Sequence, residues 1–246
     1  MATIVLILAV TMAPKAAYAT EGTFGTNCKY TLDDDKNLVI MEGDGADVPY
    51  FTMSDLHSIA DWNSITSFKV AEDSSIYVAA AGDEMREMFK DCTSLKTVSL
   101  SGLLIPSVTS MEKMFEGCTS LDTVDFTGLD TSKVKDMDGM FYGCTNLTAV
   151  DLTNLNTSSS TDIRSMFLGC TNLTEIKGLN TLDTSLVIVF SNMFAGCSSL
   201  TSLDLSTFDT SSATYMTDMF YGCSALTFLD LSSFDTSNVT SMLDMF

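Results

Sequence analysis

Basic residues are scarce in this chain of 246 residues, which has 12 Lys+Arg against 32 Asp+Glu and a formal net charge of -20 at pH 7. No Lys or Arg follows Lys177. Proteins that bind DNA or RNA need clustered basic side chains to displace counterions from the phosphates, and anionic membranes make the same demand. The composition therefore excludes nucleic acid as a partner and disfavours an anionic membrane surface.

Histidine and long hydrophobic runs are also scarce. His57 is the single histidine, so a histidine-based catalytic pair or zinc site would have to use it. The apolar run at residues 4–10 is too short to cross ~30 Å of hydrocarbon, and it precedes Ala17-Tyr18-Ala19, a small-x-small cleavage site. We predict a secretory signal peptide over residues 1–19, a secreted or cell-surface location, and no membrane-spanning segment in the mature chain.

What the sequence does contain is a repeat. Met-Phe dipeptides begin at residues 88, 114, 140, 166, 193, 219 and 245, so successive copies are 26 residues apart except for one step of 27. A fixed period of this size is typical of a solenoid, in which each unit buries its apolar face against its neighbours. Six of the seven cysteines keep the same steps: Cys92, Cys118, Cys144, Cys170, Cys197 and Cys223.

The plan of one unit can be read from residues 118–143, CTSLDTVDFTGLDTSKVKDMDGMFYG. Its first half has the leucine-rich-repeat spacing L-x-x-L-x-L-x-x-L, with a short strand centred on Val124-Asp125-Phe126. In the second half, Asp130-Thr131-Ser132 predicts a helix N-cap, and the apolar stripe that ends at Met140-Phe141 predicts a short helix. Gly143 predicts the left-handed residue that ends this helix.

The repeat predicts an α/β solenoid over residues 83–246, a leucine-rich-repeat-like stack in which each unit is a short parallel strand plus a short helix. Further strand centres are expected at residues 98–100, 150–152, 203–205 and 229–231, and an extra residue between Leu173 and Thr184 predicts a bulge. Residues 20–82, with a hairpin around 33–37, are expected to form an N-terminal β-rich cap. Because the chain stops at Met245-Phe246, we expect it to be truncated within a repeat, with end-to-end self-association of the open end.

The pattern MFxGCTxLTxLDLSxFDTSxVTxM resembles the 26-residue repeat of the BspA-like leucine-rich repeat surface proteins of bacteria. The resemblance covers roughly residues 83–246 through several near-identical copies, and the signal segment and the YTLDDDKNLVI hairpin also fit that family. It implies secretion, display at the cell surface and a role in adhesion to host proteins or other cells. It implies no catalytic site and names no ligand.

An outward column on the strand face is the best candidate for a functional surface. Strand alternation directs one central side chain per unit to solvent. Threonine and serine residues flank this side chain on the same face of the sheet. Such an acidic strip suits an extracellular protein or carbohydrate, or weakly held Ca²⁺. It also suits a solvated face without any ligand, because carboxylates ~5 Å apart in water repel by only ~0.8 kcal/mol. The predicted binding residues are Asp125, Asp151, Lys177, Asp204, Asp230, Thr123, Thr127 and Thr153.

Other functions remain as alternatives. One is a passive spacer or stalk for a missing C-terminal region. A remote one is a polysaccharide-active enzyme that uses the aspartates. Such an enzyme needs two carboxyls with different pKa values, and the equivalent surroundings of the aspartates give no reason for a difference. We therefore predict no enzyme and no catalytic residue, and we also predict no metal site and no cofactor. The repeated cysteines are expected to be buried as small apolar residues, with disulfides between neighbouring coils as the alternative.

Overall fold

The structure is a computed structural model that describes residues 20–59, 61–78 and 85–246. The predicted signal peptide, residues 1–19, lies outside the described residues. The N-terminal part is an antiparallel sheet of β1 (Thr20–Phe24), β2 (Cys28–Leu32) and β3 (Asn37–Glu42). It contains the hairpin expected around residues 33–37. The boundary between cap and array at residue 83 stays a prediction.

The chain changes from antiparallel to parallel pairing at β3. After β4 (Tyr50–Phe51), the helix α1 (Met53–His57) and a 3-10 turn (Trp62–Ser64), strand β5 (Ser67–Val70) pairs in parallel with β3. The six-stranded sheet β1-β2-β3-β5-β7-β9 continues through β7 (Thr97–Ser99) and β9 (Thr123–Asp125). Two shorter parallel sheets join β4, β6 (Ile76–Val78) and β8 (Leu103–Leu104), and β10 (Ala149–Asp151) and β11 (Glu175–Lys177).

The helices predicted for the repeat units are not formed. Lys113 and Gly117 both have left-handed backbones, with φ of 55° and 71°, and L-residues do not continue an α-helix through such conformations. Lys113 N donates to Asp138 O of the next coil at 2.7 Å, whereas Met114 N donates to Met111 O, three residues earlier, at 3.2 Å. The second half of each unit is therefore a series of turns, and the fold is a parallel β-solenoid with an N-terminal antiparallel sheet. None of the helices described is long and apolar enough to cross a membrane.

Parallel bridges connect the turn halves of successive coils. One residue per coil takes part, in a series that we call the bridge ladder: Ser110, Asp136, Asp162, Val189, Tyr215 and Ser241. The strands predicted at residues 203–205 and 229–231 are not formed. The bridge ladder continues through these last units, so pairing between coils there lies on the turn side of the solenoid instead of the strand side.

Buried threonines replace the predicted helix N-caps. Asp130 Oδ1 accepts the N–H of Ser132 at 3.1 Å, which closes a local turn without a helix behind it. The adjacent Thr131 hydroxyl donates to Asn156 O of the next coil at 3.0 Å and accepts the N–H of Asn156 at 2.8 Å. Equivalent threonines donate to the next coil at 2.9–3.0 Å in a series that we call the threonine ladder: Thr131, Thr157, Thr184 and Thr210.

The core is a set of stacked columns, as the repeat predicts. Phe89 stacks on Trp62 with ring centroids 5.5 Å apart, so the aromatic column begins in the N-terminal part. The ring column then continues with centroid separations of 5.4–5.9 Å through Phe89, Phe115, Phe141, Phe167, Phe194, Phe220 and Phe246. Methionine, cysteine and leucine columns of the same period are buried around it.

The extra residue of the 27-residue unit lies after β11, not in a bulge within it. The register Ala149↔Glu175 to Asp151↔Lys177 is unbroken. Gly178, with φ of 76°, then leads into a 3-10 turn at Leu179–Thr181. A Cβ at this glycine would lie 2.6 Å from Thr153 N, so the close approach of two coils requires a glycine. The predicted bulge is wrong because the chain absorbs the insertion in a turn, where no ladder pairing is lost.

Candidate binding faces

The predicted strand-face residues do lie on the surface of one face. Thr123, Thr127 and Thr153 are exposed. We call the outward position of successive units the strand-face column: Asp125, Asp151, Lys177, Asp204 and Asp230, of which Asp151 is half-buried and the others are exposed. Contacts link neighbouring coils at this face, since Ser99 Oγ donates to Asp125 Oδ2 at 3.2 Å and Asn180 Nδ2 donates to Asp204 Oδ2 at 3.0 Å.

Each aspartate of the column also holds its own turn. Its Oδ1 accepts the N–H of the residue two positions later, at 2.9 Å from Thr127 to Asp125 and 3.0 Å from Thr153 to Asp151. Asp204 and Asp230 do the same with Ser206 and Ser232. Hydrogen bonds to the ionised form hold the pKa of all four carboxyls below the usual value. The four aspartates of the column are therefore ionised, each with one oxygen committed to a backbone N–H.

Lys177 divides the column electrostatically. Its ammonium lies 2.5 Å from Asp151 Oδ2, and this bond, followed by those from Thr153, lowers the pKa of Asp151 to about 2. Asp204 and Asp230 follow in a part of the chain that has no Lys, Arg or His. The negative charge of the face is thus partly neutralised at β10–β11 and grows towards the last units.

The relief of the strand face is shallow. A depression of about 220 Å³ lies across β9, β10 and β11, and Thr123, Val150, Asp151, Glu175 and Lys177 contribute to its lining. Small-molecule pockets typically measure ~300–1,000 Å³ and enclose their ligand. The shape suits an extended contact with a macromolecule better than an enclosed small molecule. Within the described part of the chain, no group of three or more His, Cys, Asp or Glu residues has the arrangement of a metal site.

The repeats match one known protein family. Residues 83–182 and 169–246, which together span more than half of the chain, match the family described as "Mycoplasma protein of unknown function, DUF285". The chain belongs to this family. Membership confirms the repeat-family resemblance found in the sequence, and the family description leaves its function unknown. No curated protein matches the chain.

Two solved structures of repeat proteins are similar to this family member. A leucine rich cell surface protein from Faecalibacterium prausnitzii A2-165 shares 16% identity with a TM-score of 0.40, and the match covers 82% of this chain and 56% of that one. A leucine-rich repeat protein from Eubacterium ventriosum shares 12% identity with a TM-score of 0.29, over 90% of this chain and 92% of that one. This chain thus spans little more than half the length of the first.

A second acidic group lies on the turn side of the solenoid, where the sequence predicted only helix and core. Asp136, Asp138 and Asp162 are half-buried there, and the Arg164 guanidinium pairs with Asp162, its Nε at 2.7 Å. Burial, followed by the charge of Asp162, raises the pKa of Asp138 to about 6. The signal in the sequence was the DMD segment at 136–138, whose aspartates flank a core methionine, followed one unit later by Asp162 at the position of Asp136.

The cysteine column is buried, and the described cysteines are free thiols. Each repeat thiol after Cys92 donates to a phenylalanine carbonyl in the preceding coil, for example Cys118 Sγ to Phe89 O at 2.9 Å and Cys144 Sγ to Phe115 O at 3.1 Å. Burial raises the pKa of Cys170 to about 12, so the thiolate needed for exchange chemistry is strongly disfavoured. These cysteines are structural, as the sequence predicted.

Proposed function

We propose that this chain is a secreted or cell-surface repeat protein that binds a protein or carbohydrate partner, without catalysis, through the strand-face column. The observation that carries the proposal is the exposed column itself, in which Asp125, Asp204 and Asp230 occupy the same outward position of their coils. Each of these aspartates retains an outer oxygen that can accept further hydrogen bonds, and a threonine or serine follows it two residues later, Thr127, Ser206 or Ser232.

The electrostatics of the face support binding over acid–base chemistry. General acid–base work needs two carboxyls whose pKa values are pushed apart. All four aspartates of the column have lowered pKa values with the same type of cause, a hydrogen bond from the residue two positions later or, for Asp151, from Lys177. Uniformly ionised acceptors on a shallow face suit hydrogen-bond donors such as sugar hydroxyls or basic side chains.

Replacing the four aspartates together, Asp125→Asn, Asp151→Asn, Asp204→Asn and Asp230→Asn, tests the proposal. Asparagine keeps the turn acceptor, as Asn156 does when its Oδ1 accepts the N–H of Ser158 at 3.0 Å. We expect an unchanged circular dichroism spectrum and melting temperature. Binding to a panel of immobilised extracellular proteins and glycans should weaken by about tenfold or more, because charge-assisted hydrogen bonds are lost.

A second acidic column provides the matched control. Asp130, Asp183, Asp209 and Asp235 are exposed and hold the same type of turn, but at another position of the coil. Their replacement by Asn removes the same charge. It should leave unchanged the affinity for the panel member that the strand face recognises. Equal losses of binding in both variants would show that the effect depends only on the net charge of the protein. Unchanged binding in the strand-face variant would favour the passive spacer, in which the aspartates serve only their turns.

A further inference from the structure

One coil breaks the polar pattern of the turn side. Leu186 and Ile188 are 51% and 43% exposed, on either side of the buried Val187. The equivalent pairs in the other units are all polar: Ser107 and Thr109, Lys133 and Lys135, Ser159 and Thr161, Ser212 and Thr214, and Asn238 and Thr240. Tyr215, 47% exposed, lies next to Ile188 in the following coil, because Ile188 O accepts the N–H of Thr214 at 2.9 Å and of Tyr215 at 3.3 Å. We call Leu186, Ile188 and Tyr215 the apolar patch.

Leu186 and Ile188 cannot form the side-chain hydrogen bonds that polar residues form at these positions in other units. At the position of Leu186, four other side chains donate to a carbonyl of the preceding coil at 2.6–2.7 Å: Lys133 to Pro106 O, Ser159 to Ser132 O, Ser212 to Ser185 O and Asn238 to Ser211 O. At the position of Ile188, Thr240 donates to Thr214 O at 3.1 Å. Leucine and isoleucine have no donor, and about half of each residue remains exposed, so burial within the chain compensates only in part for the lost hydrogen bonds.

The negative charge around the apolar patch favours a basic partner. Seven aspartates and no Lys, Arg or His follow Lys177. Asp183 and Asp209 are exposed at one position of successive coils, three residues before Leu186 and Ser212 respectively. The nearest cations on the N-terminal side are occupied or distant: Arg164 pairs with Asp162, and Lys135 lies two coils away from Ile188 in the same position. A second copy of this chain, with the same charge of -20, would be repelled.

We propose that the apolar patch is a docking surface for a basic polypeptide segment that carries apolar side chains. The aliphatic side chains of the partner pack on Leu186, Ile188 and Tyr215, and its lysines or arginines face the aspartates of the last units. This surface is on the turn side and does not depend on the strand-face column, so either proposal can fail alone.

The test uses a fluorescein-labelled peptide of alternating lysine and leucine, with binding followed by fluorescence anisotropy. The double variant Leu186→Ser, Ile188→Thr copies the residues of the preceding unit and restores the potential donors. We expect it to lower the affinity for the peptide about tenfold or more while the melting temperature stays the same or rises. The control Val48→Ser, which removes an exposed apolar side chain from the N-terminal part, should bind as the wild type does.

Two further measurements separate the electrostatic contribution to peptide binding from the apolar one. Asp183→Asn with Asp209→Asn should weaken binding and reduce its dependence on salt, whereas the strand-face variant should leave it intact. A peptide with glutamine in place of lysine should bind at least about tenfold more weakly. Equal affinity of wild type and the Leu186→Ser, Ile188→Thr variant would overturn the proposal. So would equally tight binding of the glutamine peptide, or self-association of the wild type that this variant abolishes, which would identify a second copy as the occupant.

Discussion

Aspartate has two opposite roles in this protein, and its position within the coil decides between them. On the strand face, Asp125 accepts the N–H of Thr127, which favours the ionised form and lowers its pKa. On the turn side, Asp138 is half-buried beside Asp162, which disfavours the ionised form. The sequence shows the same residue type in both places, and the difference arises because Asp125 accepts a hydrogen bond within its own exposed turn, whereas burial and the charge of Asp162 act on Asp138.

The raised pKa of Asp138 predicts a pH dependence of stability. Its pKa of about 6 in the folded protein exceeds the usual value of 3.8, so the folded state binds the proton more tightly than the unfolded state. The stability that this group contributes is fully present below about pH 4 and is lost as the pH rises through about 6. Asp138→Asn should remove this part of the slope and, because the group is only half-buried, raise the free energy of unfolding at pH 7 by about 1 kcal/mol.

Urea unfolding at a series of pH values measures this effect. Asp130→Asn is the control, because its exposed carboxyl has a lowered pKa and its replacement keeps the turn acceptor. That variant should retain the slope between about pH 4 and 6. If Asp138→Asn keeps the wild-type slope, Asp138 is not the titrating group.

At the scale of elements, hydrogen bonds between coils replace those within a helix. Thr157 is buried, and its hydroxyl donates to Asp183 O of the next coil at 2.9 Å. We expect Thr157→Val to lower the free energy of unfolding by about 1–3 kcal/mol, because the shape is kept and a partly buried carbonyl loses its donor. Thr157→Ser keeps the hydroxyl and should cost less than the valine variant. Chemical denaturation compares the two, and a valine variant as stable as the wild type would show that the threonine ladder contributes nothing.

At the scale of the whole molecule, each coil contacts mainly the coils next to it, so stability should be the sum of unit and interface terms. Deleting residues 119–144 removes one period and joins Cys118 to Thr145. The junction keeps the native Cys-Thr sequence, because Cys144 precedes Thr145 in the intact chain. The columns of Phe, Met and Cys then continue in register, and we expect a folded protein with a reduced melting temperature.

Deleting residues 132–144 is the matched test, because it removes half a coil and places a strand-side segment against a turn-side segment. We expect this variant to lose cooperative unfolding. Circular dichroism melts and hydrogen exchange distinguish the two variants. Loss of folding in both would mean that the array does not behave as a stack of equivalent units.

The sequence by itself determined the period, the identity of the buried columns and the outward position of Asp125, Asp204 and Asp230. These features follow from the recurrence of one apolar pattern at one spacing, which gives every unit the same inside and outside. Only the tertiary structure decided that the stretch from Val134 to Phe141 forms turns instead of a helix, that Thr157 is a buried link, and that Gly178 absorbs the extra residue. A backbone N–H can bond within its own segment or to a neighbouring coil, and that choice depends on a residue 25 to 27 positions away in the sequence. Local sequence patterns therefore specify which side chains are buried but not which carbonyl each N–H reaches.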